Sequence, residues 1–370
     1  MSDKDLAQLA EDFFQESLVS SPTSAIMRGH KKYFDQIEEL TEEKFENESE
    51  KLKNFKQRLN ELDFNSLSSK EKVTYGMLEF ALDSNSDSLI DKSWEFSAGV
   101  AGFEGFLIDY NQQMFIPDIE SADMLLKRLE LYQRFYSQIS DVQKKGLENN
   151  RVATQRNLNR SIDQLESYLE TSLDSDPLLL VNFAPTITEK ETSEWKEKAK
   201  EVIEKYVRPS VMSYLDQLRV EHLPKGRTDE NPGIMWIDGG EEVYLRSLRK
   251  YTGHKDTTVK EVHEIGLSEI ERLKKEFLEI GKEVFDSVEK PEDVLHKMQT
   301  EPSMRYESKE QMLQLAEDTI ERAYKPLGEW FTVFPKAPCK VLPVPTQSEK
   351  HAPPAYYFPP LPDGSRDGTY

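Results

Sequence analysis

"SADMLLKRLELYQRFYSQIS", residues 121–140, decides the class of fold. Met124, Leu125, Leu129, Tyr132, Phe135, Tyr136 and Ile139 recur at helical spacing, so one helix gathers them on a single face. A strand would scatter them over both faces. The spacing predicts one long helix opening at Ser121.

The same period runs outward in both directions. Leu6, Leu9, Phe13 and Phe14 form the face of a first helix, which Ser2 can cap and Pro22 breaks. A second begins near Thr41, with Phe45, Leu52, Phe55, Leu59 and Leu62 on its face. The capping box Ser68-x-x-Glu71 opens a third, with Val73, Met77, Phe80 and Ala81 as its apolar residues. On the other side, Leu158, Ile162, Leu165 and Leu169 mark a further helix. Trp195, Val202, Tyr206 and Val207 mark the next, which Pro209 punctuates. Two more run from Asp256 through Val262, Ile265, Ile270, Leu273 and Phe277, and from Ser308 through Met312, Leu315 and Ile320.

Three stretches leave the pattern. "SAGVAGFEGF" (97–106) interleaves three glycines with apolar residues and reads as a loop. "EHLPKGRTDENPGIMWIDGG" (221–240) is a polar connection and the best boundary candidate, dividing a helical region 1–220 from a region 221–370, the two expected to form one continuous domain. After Trp330 the prolines interrupt short apolar runs, as extended segments do, so residues 331–370 are expected to carry strand structure. The expected fold is mainly α: a large helical array with a small β element starting near the C-terminus.

Of the 370 residues, 37% are hydrophobic and 32% charged, enough apolar content at a helical period to bury a core. A net charge of -21 argues against nucleic acid, whose phosphates reward lysine and arginine patches. Acidic runs such as "EELTEEKFENESEK" alternate with lysine and read as solvated faces. The longest apolar run, "PLLLVNFAP", is too short for a membrane span, and "MSDKDLAQLAEDFF" lacks the layout of a signal peptide. With one cysteine there is no intrachain disulfide, and a cytoplasmic location is the expectation.

Few residues offer chemistry. "VHEIGL" (262–267) has the His and Glu of a zincin helix, but Leu267 stands where the second histidine is needed. His30, His222, His254, His296 and His351 are scattered without metal-ligand spacing. Gly239-Gly240 reads either as a turn before a helix or as a place where something approaches the backbone closely. Lys336 and Lys340 would lower the pKa of Cys339 slightly, yet no histidine is placed as its base.

The closing residues, "APPAYYFPPLPDGSRDGTY" (352–370), remain. Asp363-Gly364 and Asp367-Gly368 supply turn chemistry. In an extended segment Tyr356 and Tyr357 face opposite ways, one toward a core and the other toward a cleft. Arg366 could hold a carboxylate with its planar guanidinium. A purely structural hairpin with a surface arginine explains the same residues.

These residues resemble a family. "AYYFPPLPDGSRDGTY" is similar to the A-Y-Y-x-P-P-x-x-D-G-S-R-x-G stretch of the domain of unknown function 885. "SPTSAIMRGH" resembles its P-T-x-A-x-x-x-G, "GIMWIDGGEEVYLRSLRKYTG" its Gly-Gly motif, "VHEIGLSEIERL" its H-x-I-G-L helix, and "PLGEWFTVFPKAPCKVLPVP" its Pro-rich lead. The resemblance implies a helical protein akin to gluzincin-type zinc metallopeptidases. Their H-E-x-x-P-G-H helix, which holds zinc and the water-activating glutamate, follows the Asp-Gly-Ser-Arg segment. This chain stops at Tyr370, before that helix, and is expected to be an N-terminal portion, inactive alone.

No catalytic or metal residue is therefore assigned; zinc and a peptide substrate are expected of a full-length relative. What the resemblance carries over is a substrate-side set: Tyr356, Tyr357, Ser365 and Arg366, with Trp236 and Tyr244 around the Gly-Gly turn. The rival expectation is a non-catalytic helical binding or scaffold protein.

Overall fold

A computed structural model describes residues 3–99, 102, 111, 114–344 and 355–370. Most of the glycine-rich stretch 97–106, Ser2, and His351 lie outside the described residues. The structure is mainly α, as the periodicity requires, and among the described residues the strands are two residues long.

Helices α1 (Asp3–Ser20), α3 (Glu42–Asn60) and α4 (Ser69–Asp91) pack into a three-helix unit. Its core is Leu6, Leu9, Phe55, Leu59, Leu78 and Leu82. α3 starts where the spacing placed it, and Thr41 caps it by accepting from the Lys44 N–H. Ser68 accepts from the Glu71 N–H, but its own N–H donates to Asp3 instead of completing a capping box. The face of α4 is not the one the spacing suggested. Val73, Met77 and Phe80 are exposed, and Leu78 and Leu82 are buried. Two apolar stripes run along α4, and contact with α1 and α3 selects the second.

Pro22 ends α1 and opens a short helix, α2 (Pro22–Met27). Residues 121–140 do not form one long helix but fall in two, α5 (Ile119–Glu130) and α6 (Tyr132–Glu148), separated at Leu131. Leu125, Leu129, Tyr132, Phe135, Tyr136 and Ile139 are all buried. They share the main core with α7 (Gln155–Glu170), α8 (Glu189–Val202) and α9 (Arg208–Gln217). Fully burying one such side chain contributes roughly 1.5–3 kcal/mol. The Trp195 Nε1–H donates to the Ala122 carbonyl at 2.7 Å and ties α8 to α5. Strands β1 (Phe115–Ile116) and β2 (Asn182–Phe183) pair in parallel beside this core.

Pro209 does not stop its helix. A π-turn over Ile203–Val207 joins α8 to α9, and Pro209 sits in the first turn that follows. Proline lacks an N–H and its ring crowds the carbonyl four residues back; the wider turn accommodates both.

Beyond α9 come α10 (Gly240–Thr252), α11 (Val259–Val284), α12 (Pro291–Thr300), α13 (Lys309–Tyr324) and α14 (Leu327–Trp330). The apolar residues of α11 and α13 recur as expected, but they face outward. Ile265, Ile270, Leu273 and Ile280 are each 50–59% exposed, and Met312 and Leu315 are exposed on α13.

Asp118 caps α5, accepting from the Ser121 N–H at 2.9 Å, and its carboxylate pairs with Lys31 at 2.5 Å. Lys31, then Ser121, hold the Asp118 carboxyl down at about 2. A carboxylate depressed by folding adds stability above its ordinary pKa, and that stability is lost as pH falls from about 4 toward 2. Both partners are largely exposed, so ~1 kcal/mol is the appropriate scale. Asp118→Asn keeps a cap acceptor. It should lower the urea-melt stability by about 1 kcal/mol at neutral pH, with the difference narrowing below pH 4.

Candidate functional site

The Pro-rich segment forms β3 (Cys339–Lys340), which pairs in parallel with β4 (Gly368–Thr369). Thr369 also forms an antiparallel bridge with Phe358; the Phe358 N–H donates to Thr369 O at 2.8 Å and the Thr369 N–H returns to Phe358 O at 2.9 Å. The closing stretch is thus a strand–turn–strand unit, with β4 between Phe358 and β3. Its turn is built at Asp363-Gly364, as the sequence indicated, whereas Gly368 of the second Asp-Gly pair lies in β4 instead of a turn because it pairs with Cys339. The Leu361 N–H donates to Arg366 O at 3.1 Å, and Asp363 accepts from the Ser365 N–H at 2.9 Å and hydroxyl at 2.7 Å. Those Ser365 bonds hold the Asp363 carboxyl below its usual value.

The two tyrosines do separate. Tyr356 is half-buried with its ring edge-on to Phe358 at 5.5 Å, whereas Tyr357 is exposed. Burial nonetheless raises the Tyr357 phenol above its ordinary pKa. Arg366 donates to the carbonyls of Pro359 at 2.9 Å and Met27 at 3.4 Å, so its guanidinium braces the turn and reaches the N-terminal region. Burial presses its pKa below the usual arginine value. Beside this unit lies a cleft of about 390 Å³ lined by Tyr324, Leu327, Phe334, Pro335, Lys336 and Pro338.

Trp236 and Tyr244 belong to a separate surface, where both are about half exposed. The Gly-Gly turn there answers to the chain's own backbone. Gly239 has φ +70°, and a Cβ on Gly240 would collide with the Ile234 carbonyl. Arg151 holds this turn against the three-helix unit. It donates to Asp238 O at 2.7 Å and to Asp91 O, and pairs with Glu95 at 2.6 Å. Arg246, on α10, pairs with Asp91. Sequence reasoning did not single out Arg151; a lone arginine between two helices carries no local signal of three distant partners.

Cys339 is not activated. Burial raises its thiol pKa, and Lys340 pairs with Asp367 instead of assisting the sulfur. His263 and Glu264 of "VHEIGL" lie on the exposed side of α11, where Glu264 is 3.7 Å from Lys260. His222 is buried and near the Gln217 carbonyl at 3.4 Å, and burial lowers its pKa. Among the described residues no three His, Cys, Asp or Glu side chains come together as a metal site. The donors present among the described residues do not fit zinc. Among the same residues no helix is long and apolar enough to cross a membrane.

A solved structure described as "the putative lipoprotein from Colwellia psychrerythraea" matches all of this chain at a TM-score of 0.85 and 18% identity. The alignment covers 67% of that protein, so a third of it lies outside the match. At that identity the likeness speaks for the fold. No curated protein matches the chain. A family model described as "Bacterial protein of unknown function (DUF885)" matches residues 22–370, which include both segments of the closing β unit and the Gly-Gly turn. The chain belongs to that family of bacterial proteins, DUF885.

Proposed function

We propose that this chain is the helical, substrate-facing portion of a gluzincin-like zinc metallopeptidase whose metal-bearing helix lies on chain beyond Tyr370. The full protein would cleave peptides with a metal-activated water; this portion would supply one wall of the cleft. The motif resemblance across the closing unit suggests the chemistry. The observation that carries the reading is the outward apolar residues of α11 and of α13, since apolar side chains exposed along a helix at its own period mark a face that another surface covers. The longer structural relative supplies a length of chain that could cover it.

Tyr356 to Phe358 forms an extended segment that a peptide could join as an added strand, with exposed Tyr357 beside it. Ser365 and Arg366 shape the turn that holds this segment. The acidic balance disfavours nucleic acid as partner and leaves a peptide as the partner this cleft would take. A cytoplasmic setting fits the single cysteine.

The coding sequence beyond Tyr370 tests this. An H-E-x-x-P-G-H helix is expected there, together with about one zinc per chain and peptide hydrolysis by the longer product. A stop codon directly after Tyr370 would sink the proposal. The rival, a standalone helical scaffold, predicts a cooperative melt and no binding of a hydrophobic dye by the 370-residue chain. The portion reading predicts strong dye fluorescence before any unfolding.

A further inference from the structure

We infer that the Pro-Thr-Ser-Ala segment at 22–25 is the base that positions the closing β unit, with Gly29 and Leu361 as the joint between them. Six residues of helix do not hold themselves in water, yet α2 is pinned at its start. The Thr23 N–H and hydroxyl donate to the two Glu38 oxygens at 2.9 and 2.7 Å, and Arg128 donates to the Thr23 hydroxyl at 2.5 Å. All three residues are at most 8% exposed. A buried, connected network of this kind has few alternative arrangements.

The end of α2 is equally defined. Gly29 takes φ +86°, its N–H donates to Ile26 O at 2.8 Å, and the His30 N–H donates to Ala25 O at 3.0 Å. This pair of bonds closes the helix with a left-handed glycine. The space a Gly29 side chain would need is filled by Leu361, whose Cδ2 would lie 3.3 Å from a Cβ there. Leu361 is 5% exposed, and Arg366 reaches the Met27 carbonyl beside it. Gly29 is thus needed for its conformation and for the seat it leaves.

Residues more than three hundred positions apart therefore meet through a rigid path from Arg128 to the turn at 361–366. The functional meaning rests on the proposed peptidase reading: a strand that pairs with substrate must be held in place from outside itself. Thr23, Gly29 and Leu361 are positioning residues in that sense.

Amide hydrogen exchange on the 370-residue chain tests the joint. Leu361→Ala should speed exchange at the Phe358, Leu361 and Thr369 amides about tenfold, leaving α7 unchanged. Thr23→Val should speed the same three amides, although the bonds it removes are to Glu38 and Arg128. Wild-type rates at Phe358 and Thr369 in Thr23→Val, with faster exchange confined to 22–30, overturn the coupling. If Thr23→Val unfolds the chain, Leu361→Ala decides alone, and unchanged rates there overturn the joint. The readout involves neither zinc nor peptide. Failure of the peptidase reading leaves it standing, and its own failure leaves that reading untouched.

Discussion

Gly240→Ala should lower the stability of the chain by about 3 kcal/mol or more, although it adds a single methyl group. The added Cβ would sit against the Ile234 carbonyl and crowd Ile237, and a backbone atom cannot rotate away as a side chain can. The strain would spread through the Ile237–Gly240 turn, whose Asp238 carbonyl holds Arg151. Gly76→Ala is the matched control: nothing lies within 4 Å of a Cβ there, in the middle of α4. That substitution should gain about 0.5–1 kcal/mol from helix propensity alone. Denaturant melts of the pair give opposite signs if the close approach is real, and equal signs refute it.

Arg128→Ala should cost about 3–5 kcal/mol in the same melts, because it leaves the buried Glu38 carboxylate without the cation 3.8 Å away. It also removes the donors to Thr23 and to the Gln36 carbonyl. Breaking such a group differs from replacing it. Arg128→Met combined with Glu38→Leu should recover part of the loss, since no lone charge then remains buried. A double variant no more stable than Arg128→Ala would show that the network's worth lies in its hydrogen bonds to the backbone.

Both predictions concern residues whose importance is invisible locally. Arg128 lies among the apolar residues of the stretch that announces the fold, and as sequence it looks like any surface arginine of an amphipathic helix. Its partners are about 90 and 105 positions away. Gly240 had two readings, a turn or a close approach, and the structure joins them: the group that approaches is the chain's own carbonyl. Two further helix starts are written in the sequence as Thr-x-x-Glu. Thr188 with Glu191 and Thr258 with Glu261 form complete capping boxes at the starts of α8 and α11.

The closing segment divides in the same way. Its turn residues foretell the Asx turn of Asp363 and the alternation of Tyr356 and Tyr357, because these are properties of neighbours along the chain. That Leu361 sits over Gly29 and Arg366 reaches Met27 is a meeting of segments more than three hundred positions apart. Periodicity carries no information about it.

What the amino-acid sequence determined by itself is therefore the mainly α class, most helix positions, the exposed charge and the turn chemistry near the C-terminus. Each follows from residues within a few positions of one another, through helical period, caps and turn propensities. Only the tertiary structure decided which stripe of α4 is buried, how a π-turn carries the chain past Pro209, why Gly240 is glycine, and that α11 and α13 turn their apolar faces outward. Those outcomes depend on which surfaces meet across long separations, where an apolar stripe states that it can be buried but not by what.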